Sequence, residues 1–317
     1  MINQSIFNNS SKLKRLTGLD KDQFDNLCTQ VSPLWQQAEA KRLSRSNRKR
    51  ALGAGRRYFL SSIEEKVLCL LVWLKLYPSY WFLGFMFGLD ASNAMRLCRR
   101  IKPLVKQAAD VDLDKRLSGI NQQIKRRKIT CWEELQEDFP EVAEVLIDAM
   151  EQPVRRPKQV NKKKAKSKQK KYYSGKKKRH TIKAQVSVNT DGLILDLSKS
   201  VPGSVHDYKL LKQSGLMEDI PLLAKKITDT GYDGMKTDFS EHWITQPIKR
   251  RRGSPPLTRG QKKFNRSVSQ VRILVEHVIS KIKKYQVISD VYRNRTSQHN
   301  IDLQTVAALI NYRLTFS

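Results

Sequence analysis

Hydrophobic positions in the first third of the chain recur with helical spacing and are separated by short polar breaks. Ser62 and Glu65 have the spacing of a capping box and open an apolar helix, which must end before Pro78. A turn at Gly88 separates the two helices that follow. The predicted helices cover residues 20–40, 62–77, 79–87 and 91–106. This part of the chain is therefore predicted to be all-α, with residues 1–57 forming a helical segment and a basic linker.

The last of these helices places polar and basic side chains on one exposed face. They are Ser92, Asn93, Arg96, Arg99 and Arg100. A helix, a short glycine turn and an arginine-bearing helix make up a helix-turn-helix, whose last helix enters the DNA major groove. Three packed helices with a solvated basic face would show the same pattern. The pattern favours a DNA-binding domain over residues 58–110, and the second interpretation stays open.

In the second half of the chain the apolar positions alternate, as they do in strands. Two alternating runs around Asn189 to Gly192 predict a hairpin, and Ser204 is the predicted N-cap of a short helix. The other predicted strands cover residues 145–147, 222–228 and 244–248, and the other predicted helices cover 205–212, 258–284 and 301–312. Residues 145–317 are therefore predicted to form an α/β domain, a mixed five-stranded sheet flanked by helices, after a helical linker over 111–144.

Composition adds a large excess of positive charge, with 61 Lys and Arg against 30 Asp and Glu and a net charge of +31. Such a surplus repels itself in a compact state and is expected where a polyanion, usually nucleic acid, neutralises it. An unusually soluble basic protein is the alternative. Residues 155–179 contain 14 Lys or Arg and no acid, which predicts a loop that stays mobile until it meets phosphates.

The cysteines and the amino terminus indicate the cellular setting. Cys28, Cys69, Cys98 and Cys131 are too far apart for a zinc site and too few for a disulfide framework, so reduced, mostly buried thiols are expected. The first residues lack the apolar core of a signal peptide, and no apolar stretch is long enough to span a bilayer. We therefore expect a cytoplasmic protein without a membrane partner.

Two aspartates come directly after predicted strands. Asp148 and Asp229 each end an apolar run, and carboxylates at strand ends of an α/β sheet collect at the rim where sites form. The ordinary explanation is that aspartate favours turns. Glu144 and Glu151 lie so close to Asp148 that the alternation alone does not exclude either of them.

A third acid, Glu276, lies on the long predicted helix. It shares a stripe with Arg272 and Lys283, next to the apolar stripe that is expected to face the sheet. The apolar stripe consists of Val271, Leu274, Val275, Val278 and Ile282. A common i,i+4 ion pair between Arg272 and Glu276 is the ordinary explanation. Three oxygen donors without a sulfur or imidazole ligand suit Mg²⁺ or Mn²⁺, and two such ions are able to cleave a phosphodiester.

Ordered blocks of sequence extend this pattern over nearly the whole chain. They are Phe82–Arg99, Asp148–Pro157, Tyr173–Thr181, Pro202–Asp207, Asp229–Gly234, and Asn265 followed by Arg272, Glu276 and Lys283. Together these blocks resemble the DDE-superfamily transposases of bacterial insertion sequences, in the branch related to Harbinger-type elements. At three positions the residue differs from the one that is common in the family's blocks: Met150, Thr230 and Ser269. These departures affect expected substrate contacts and leave all three acids in place.

The resemblance implies an RNase H-like catalytic domain in which Asp148, Asp229 and Glu276 are the catalytic ligands of two divalent ions. It implies cleavage at terminal inverted repeats and transfer of the 3′-OH into target DNA, by a dimer or larger assembly, in the bacterial cytoplasm at the nucleoid. It implies that Arg272 and Lys283 contact phosphates beside the metals. The further expected DNA contacts lie in the basic run and in the predicted helix-turn-helix: Lys176, Lys177, Lys178, Arg179 and His180, and Arg96, Arg99 and Arg100. His180 is equally explained as a surface residue. Asp207 is either an accessory acid or a helix-start residue.

Two other functions fit much of the same evidence. A non-catalytic DNA-binding protein derived from such an element would have the same charge and the same helix-turn-helix, but it would have no need to keep the three acids. A metal-dependent endonuclease without joining activity would use the same residues as a transposase. Only the products of the reaction distinguish the last two.

Overall fold

A computed structural model describes residues 6–7, 9–44, 58–109, 116–158 and 169–316 of the chain. Most of the predicted basic linker, the middle of the basic loop and the start of the predicted helical linker lie outside the described residues. The chain divides into two compact units. Unit 1 comprises residues 1–111, 284–290 and 297–317, and unit 2 comprises residues 112–283 and 291–296.

The helices and strands follow the predicted order closely. The helices are α1 (Ser10–Thr17), α2 (Lys21–Leu43), α3 (Ile63–Leu76), α4 (Tyr80–Phe87), α5 (Ala91–Ala109), α6 (Arg116–Arg127), α7 (Trp132–Asp138), α8 (Pro140–Ala143), α9 (Asp207–Ser214), α10 (Leu216–Asp219), α11 (Met235–Asp238), α12 (Arg259–Lys283), α13 (Gln286–Ser289) and α14 (His299–Thr315). The strands are β1 (Glu144–Pro153), β2 (Tyr173–Ser174), β3 (Arg179–Val188), β4 (Ile194–Leu197), β5 (Val201–Pro202), β6 (Lys225–Ile227) and β7 (Ile244–Thr245).

Unit 1 is all-α, and α3 forms its centre. The predicted capping box is present, because Ser62 and Glu65 bond reciprocally to each other's backbone N–H groups. Every residue from Lys66 to Leu74 is buried, so α3 is surrounded by its neighbours rather than amphipathic. The chain then leaves the helix through Tyr77 in a left-handed conformation, directly before Pro78. No helix in the described part of the chain is long and apolar enough to cross a bilayer.

The C-terminal helix belongs to unit 1, although the sequence places it in the catalytic segment. Helix α14 packs against α5, and a buried ion pair between Lys102 of α5 and Asp302 of α14 joins them. The Lys102 ammonium also lies 4.5 Å from the centre of the Trp73 ring. The chain between the two partners is 200 residues long, so no local pattern in the sequence reveals this contact.

Unit 2 contains a mixed sheet with the strand order β2-β3-β1-β6-β7, while β4 and β5 also pair with β3. β1 is antiparallel to β3, whereas β1, β6 and β7 are parallel. The predicted hairpin is confirmed as β3 and β4, with Gly192 at φ 83° in the turn. The prediction of five strands was wrong, because the short strands β2 and β5 bring the sheet to seven.

Strand β1 continues well beyond the apolar run that predicts it. It pairs with β3 from Leu146 to Pro153, so Asp148 lies in the middle of the strand and the prediction that the strand ends there was wrong. The polar second half of β1 stays extended because its backbone groups bond to β3, and Gln152 is buried between neighbours. Asp229, in contrast, does follow the end of β6.

Helices cover both faces of this sheet. One face carries Val145 and Ile147 and packs on an apolar cluster that includes Leu117, Leu135 and Tyr232. Helices α6 to α8, predicted as a linker, therefore contribute to the core of unit 2. Side chains of β1 alternate, so Leu146, Asp148 and Met150 point to the other face, where α12 packs on β1 and β3.

The start of α9 also differs from the prediction. The helix begins at Asp207 with His206 as its N-cap, and not after Ser204. The Ser204 hydroxyl instead donates to the Lys171 carbonyl at 2.6 Å. Residues 203 and 204 form a turn after β5, in which the Gly203 N–H donates to the Thr181 carbonyl of β3.

Candidate active site

Two of the candidate acids lie side by side because their strands are parallel. Leu146 of β1 is opposite Ile227 of β6. Two residues further along each strand, the same register brings Asp148 next to Asp229. The parallel pairing of β1 and β6, in which Glu144 and Lys225 are 81 positions apart in the sequence, thus brings the two aspartates together. The predicted position of both at strand ends was the reason to expect this. The site lies where β6 stops and β1 continues.

Asp148 is held by its own strand and is largely shielded from solvent. One carboxylate oxygen accepts a hydrogen bond from the Ala149 N–H at 2.7 Å. Burial raises the pKa of Asp148, and the Ala149 N–H and the Arg272 guanidinium oppose this shift, while the charges of Asp229 and Asp207 add to it. Its carboxylate therefore binds a proton more readily than an exposed aspartate does, and a nearby cation favours its ionised form.

Asp229 is oriented by the turn that it begins. Its Oδ1 accepts from the Thr230 N–H at 2.6 Å and from the Thr230 hydroxyl at 3.2 Å. Thr230 is one of the positions at which the chain departs from the family pattern, and here it fixes one oxygen of Asp229.

Glu276 is carried over the sheet by α12. The apolar side of α12 is buried through Val275, Val278, Ile279 and Ile282, which confirms the predicted stripe in its second half. At the amino-terminal side, Asn265 bonds in both directions to the backbone of Ile248, at 2.7 Å and 2.9 Å. The Glu276 side chain itself is 57% exposed. It is therefore the most exposed of the three acids.

Arg272 joins the three acids. Its Nη2 atom lies 3.4 Å from Asp148 Oδ2 and 3.8 Å from Glu276 Oε1, and its Nη1 atom lies 3.8 Å from Asp229 Oδ1. The side chain is only 11% exposed. The structure thus brings Asp148, Asp229 and Glu276 around one guanidinium, a convergence that the helical stripe alone does not predict.

The donor set has the chemistry of a divalent-metal site but is not assembled into one. In the described part of the chain, no three carboxylate, imidazole or thiol side chains stand close enough together to hold an ion. The three acids offer only hard oxygen donors, which suits Mg²⁺ or Mn²⁺. The positive charge that they share at present is the guanidinium of Arg272.

Asp207 takes part in an ion cluster around Lys183 of β3. Lys183 Nζ lies 2.7 Å from Asp207 Oδ1, 2.6 Å from the Val205 carbonyl and 3.6 Å from Glu151 Oε1. The Thr181 hydroxyl donates to Glu151 at 2.8 Å. Lys183 neutralises both acids, so the positions of Asp207 and Glu151 have a structural explanation. Because side chains alternate along β1, Glu151 points to the face of the strand opposite to that of Asp148.

The tip of the basic loop is ordered, contrary to the prediction of a mobile arm for this part. β2 pairs with β3, and residues 175–178 form the turn between them. Lys176, Lys177, Lys178 and Arg179 are all exposed there, and His180 is half-buried with its ring 5.6 Å from that of Tyr173. Burial and the charge of Arg156 lower the pKa of His180, which favours the neutral ring at pH 7.

Lys283, at the end of α12, lies near the acids. Burial and the charge of Lys177 lower its pKa, and the charges of Asp148 and Glu151 oppose this shift. Lys283 and Lys177 are therefore close enough to repel each other, as two cations that surround one phosphate would be. Their assignment as DNA contacts stays a prediction.

The arginines of α5 in unit 1 are not equivalent. Arg96 and Arg99 are exposed as predicted. Arg100 is half-buried, pairs with Glu39 and stacks on Trp35 at 4.8 Å, so the prediction that it is exposed was wrong. Arg100 stabilises the contact of α5 with α2, and of the three arginines Arg96 and Arg99 are the ones exposed to solvent.

Tyr232 is a residue that the sequence reasoning missed. Its side chain is 1% exposed, and its hydroxyl has no hydrogen-bond partner among the described residues. Burial raises its pKa well above the usual value, and the charges of Asp148, Asp207 and Asp229 add to the shift. The phenol therefore lies under the acidic site. Its place three residues after Asp229 was the available clue.

Comparison with known proteins agrees with this arrangement. The profile of the DDE superfamily endonuclease family matches residues 147–311, just over half of the chain. The chain is 28% identical over 304 residues to a protein of Microchaete diplosiphon named "Probable transposase for insertion sequence element IS702", covering 96% of this chain and 94% of that protein. It is 27% identical over 138 residues to a Streptomyces albus G protein named "Putative transposase for insertion sequence element IS112", covering 43% and 50%.

No solved structure matches the chain significantly. The family match begins one residue before Asp148 and includes Asp229 and Glu276, the acids that surround Arg272. Endonucleases of this superfamily work on DNA with divalent metals. On the extent of this match, the chain belongs to the DDE superfamily of endonucleases.

Proposed function

We propose that this protein is the transposase of a bacterial insertion sequence, with Asp148, Asp229 and Glu276 as its catalytic metal ligands. The convergence of these three acids on Arg272, from β1, from the end of β6 and from α12, carries the proposal. The match to a named transposase over nearly the full length of both proteins supports it. The branch related to Harbinger-type elements remains our assignment from the sequence blocks.

The three acids would hold two ions, Mg²⁺ or Mn²⁺, because these cations prefer hard oxygen ligands. Bound ions would activate an attacking oxygen and stabilise the leaving oxygen at the phosphodiester. The chain's own contribution is positional. Thr230 fixes one oxygen of Asp229, the Ala149 N–H fixes one oxygen of Asp148, and the exposed Glu276 would complete the set of ligands.

Positive charge around the acids would hold the DNA. We infer that Lys283 and Arg272 contact the phosphates next to the scissile bond, and that Lys176 to Arg179 track the backbone of the same duplex. The exposure of the basic turn and the mutual repulsion of Lys177 and Lys283 support this role. These contacts carry no sequence information, so they would bind element ends and target DNA alike.

Recognition of the element ends is proposed for α5 in unit 1. The segment predicted as a DNA-binding domain contains three helices, α3 to α5, as a helix-turn-helix would require, and Arg96 and Arg99 are exposed on the last one. We propose an RNase H-like catalytic domain for residues 145–283, for which the mixed sheet with helices on both faces is suitable. Synapsis of two ends requires two sets of these domains, hence at least a dimer.

Reaction products on a defined DNA end test the proposal. The substrate is a labelled duplex with the inverted repeat that flanks the gene, incubated with Mg²⁺ and a plasmid target. We expect nicking followed by joining of the new 3′ end to the plasmid. Asp148→Asn, Asp229→Asn and Glu276→Gln should each bind the duplex and lose cleavage, while the control Asp233→Asn, an exposed acid in the same turn, keeps it.

The alternatives give different products. Nicking without joining would make the protein an endonuclease only. Binding without metal-dependent nicking by the unaltered protein would make it a non-catalytic DNA-binding protein. Wild-type cleavage by any one of the three triad variants would remove that residue from the metal site.

A further inference from the structure

Arg272 stands where a metal ion would be expected. The three acids are drawn towards its guanidinium at 3.4 to 3.8 Å, and no two of them share a second cation among the contacts of the described residues. The guanidinium is divided among three partners and does not form a two-pronged pair with any one of them, the arrangement that binds arginine most strongly. Its Nε atom is buried and has no hydrogen-bond partner among the described residues. The Arg272 side chain is therefore mostly buried, but its hydrogen-bond donors are not all used.

The charges at this point do not balance. Three carboxylates face one guanidinium, so the group remains negative and still attracts a divalent ion. A cation that enters the group, however, meets the positive charge of Arg272 at the same atoms. The absence of a ready-made metal site among the described residues agrees with this competition.

We propose that Arg272 is an internal counter-cation that occupies the metal site of the DNA-free protein and that a DNA phosphate draws it away. The inference rests on the proposed function, because it takes the triad as the metal site. A phosphate offers the two parallel acceptors that the guanidinium lacks among the acids. Once Arg272 faces the phosphate, the three carboxylates are released to the metal.

Cooperative binding of metal and DNA follows from this exchange. If DNA raises the affinity for metal, metal must raise the affinity for DNA by the same factor. The DNA-free protein would then bind the divalent ions that cleavage requires only weakly. It would bind them tightly only when DNA is bound. The charge of Asp148 acts on Lys283, and Lys283 in turn is affected by Lys177, so these two lysines would guide a phosphate towards Arg272.

Direct measurement of Mn²⁺ binding tests the exchange without any reaction. Free Mn²⁺ is counted by electron paramagnetic resonance during titration of the full chain in the absence of DNA. We expect Arg272→Gln to bind Mn²⁺ about tenfold more tightly than the unaltered protein, within the usual range of such coupling. Arg266→Gln, an exposed arginine on the same helix, should change nothing.

A second titration measures the coupling to DNA. With a duplex whose cut end lacks the 3′-OH, so that neither cleavage nor joining follows, the unaltered protein should bind Mn²⁺ at least about fivefold more tightly than without DNA. Arg272→Gln should lose most of this gain. The same titration with Asp229→Asn corrects for Mn²⁺ that binds to the DNA itself.

The outcomes separate the two proposals. Equal Mn²⁺ binding by Asp229→Asn and the unaltered protein would refute the metal site and with it the proposed function. Loss of binding in Asp229→Asn, together with unchanged or weaker binding in Arg272→Gln, would refute the exchange alone. If Arg272→Gln does not fold, Arg272→Met decides, because it also removes the positive charge, and equal affinity of this variant and the unaltered protein would refute the exchange.

Discussion

Removal of the Lys183 charge perturbs the ion cluster behind the catalytic strand. Lys183→Met keeps the length of the side chain but leaves Glu151 and Asp207 without a cation and the Val205 carbonyl without a donor. Glu151 is 7% exposed and Asp207 is 25% exposed. Loss of one partner of a buried ion pair costs about 3–5 kcal/mol, and partial exposure of Asp207 puts this case near 3 kcal/mol.

Hydrogen exchange of the backbone measures this cost in unit 2 alone. About 3 kcal/mol corresponds to roughly a 150-fold increase in the opening equilibrium. Amides of β1 and β3 should therefore exchange roughly 150-fold faster in Lys183→Met, read by mass spectrometry of peptides from these strands. Lys209→Met, an exposed lysine on α9, serves as the control and should exchange like the unaltered protein.

A rescue variant separates the loss of charge from the loss of packing. Lys183→Met combined with Glu151→Gln and Asp207→Asn contains no buried charge in the cluster, so it should recover a large part of the protection. Unchanged exchange of β1 and β3 in the single variant would refute the reasoning. It would mean that the two acids do not depend on Lys183, and Asp207 would again be a candidate for direct participation in the site.

Further predictions concern the two units separately. Asp302→Asn leaves Lys102 without its buried partner and should cost about 3–5 kcal/mol, seen as faster amide exchange in α5 and α14. Burial lowers the pKa of Lys226 to about 7 from 10.5, so the unfolded chain keeps a proton that the folded chain has released. The free energy of unfolding should therefore rise between about pH 7 and 10.5 relative to Lys226→Met, measured by urea titration. Gly203→Ala places a methyl group 1.8 Å from the Thr181 hydroxyl oxygen and should lower the melting temperature by several degrees.

Much of the fold follows from local sequence patterns. The capping box at Ser62, the hairpin turn at Gly192 and the apolar stripe of α12 are each encoded within a few residues, and the structure contains all three. The order of elements in both units was predictable for the same reason. The alternation of apolar and polar residues and the residues that favour turns act over a few positions. They are therefore detected from the sequence alone.

The errors share a different physical cause. β1 extends to Pro153 because β3 supplies its hydrogen bonds, and α14 packs on α5 through Asp302 and Lys102. Both depend on partners distant in sequence. The exposure of Arg100 was mispredicted because Glu39 and Trp35 come from another helix. A periodic pattern shows which face of a helix or strand is polar, but it does not show which residues of other elements pack against that face.

The candidate site shows the same division. The acids were found from strand ends, a helical stripe and the sequence blocks, whereas the central position of Arg272 requires three elements to come together. Lys183 was overlooked because a lysine in an alternating strand resembles an ordinary exposed residue. Its role becomes visible only through the turn at Val205 and the start of α9 at Asp207.

Metal specificity of cysteine variants tests the central claim most directly. Asp148→Cys, Asp229→Cys and Glu276→Cys each replace a hard oxygen ligand with a soft thiolate, which binds Mn²⁺ far better than Mg²⁺. If the three acids hold the catalytic ions, each variant should lose cleavage of the element end in Mg²⁺ and recover it, at least in part, in Mn²⁺. A cysteine variant that cleaves at the unaltered rate in Mg²⁺ would contradict the assignment of that acid as a metal ligand.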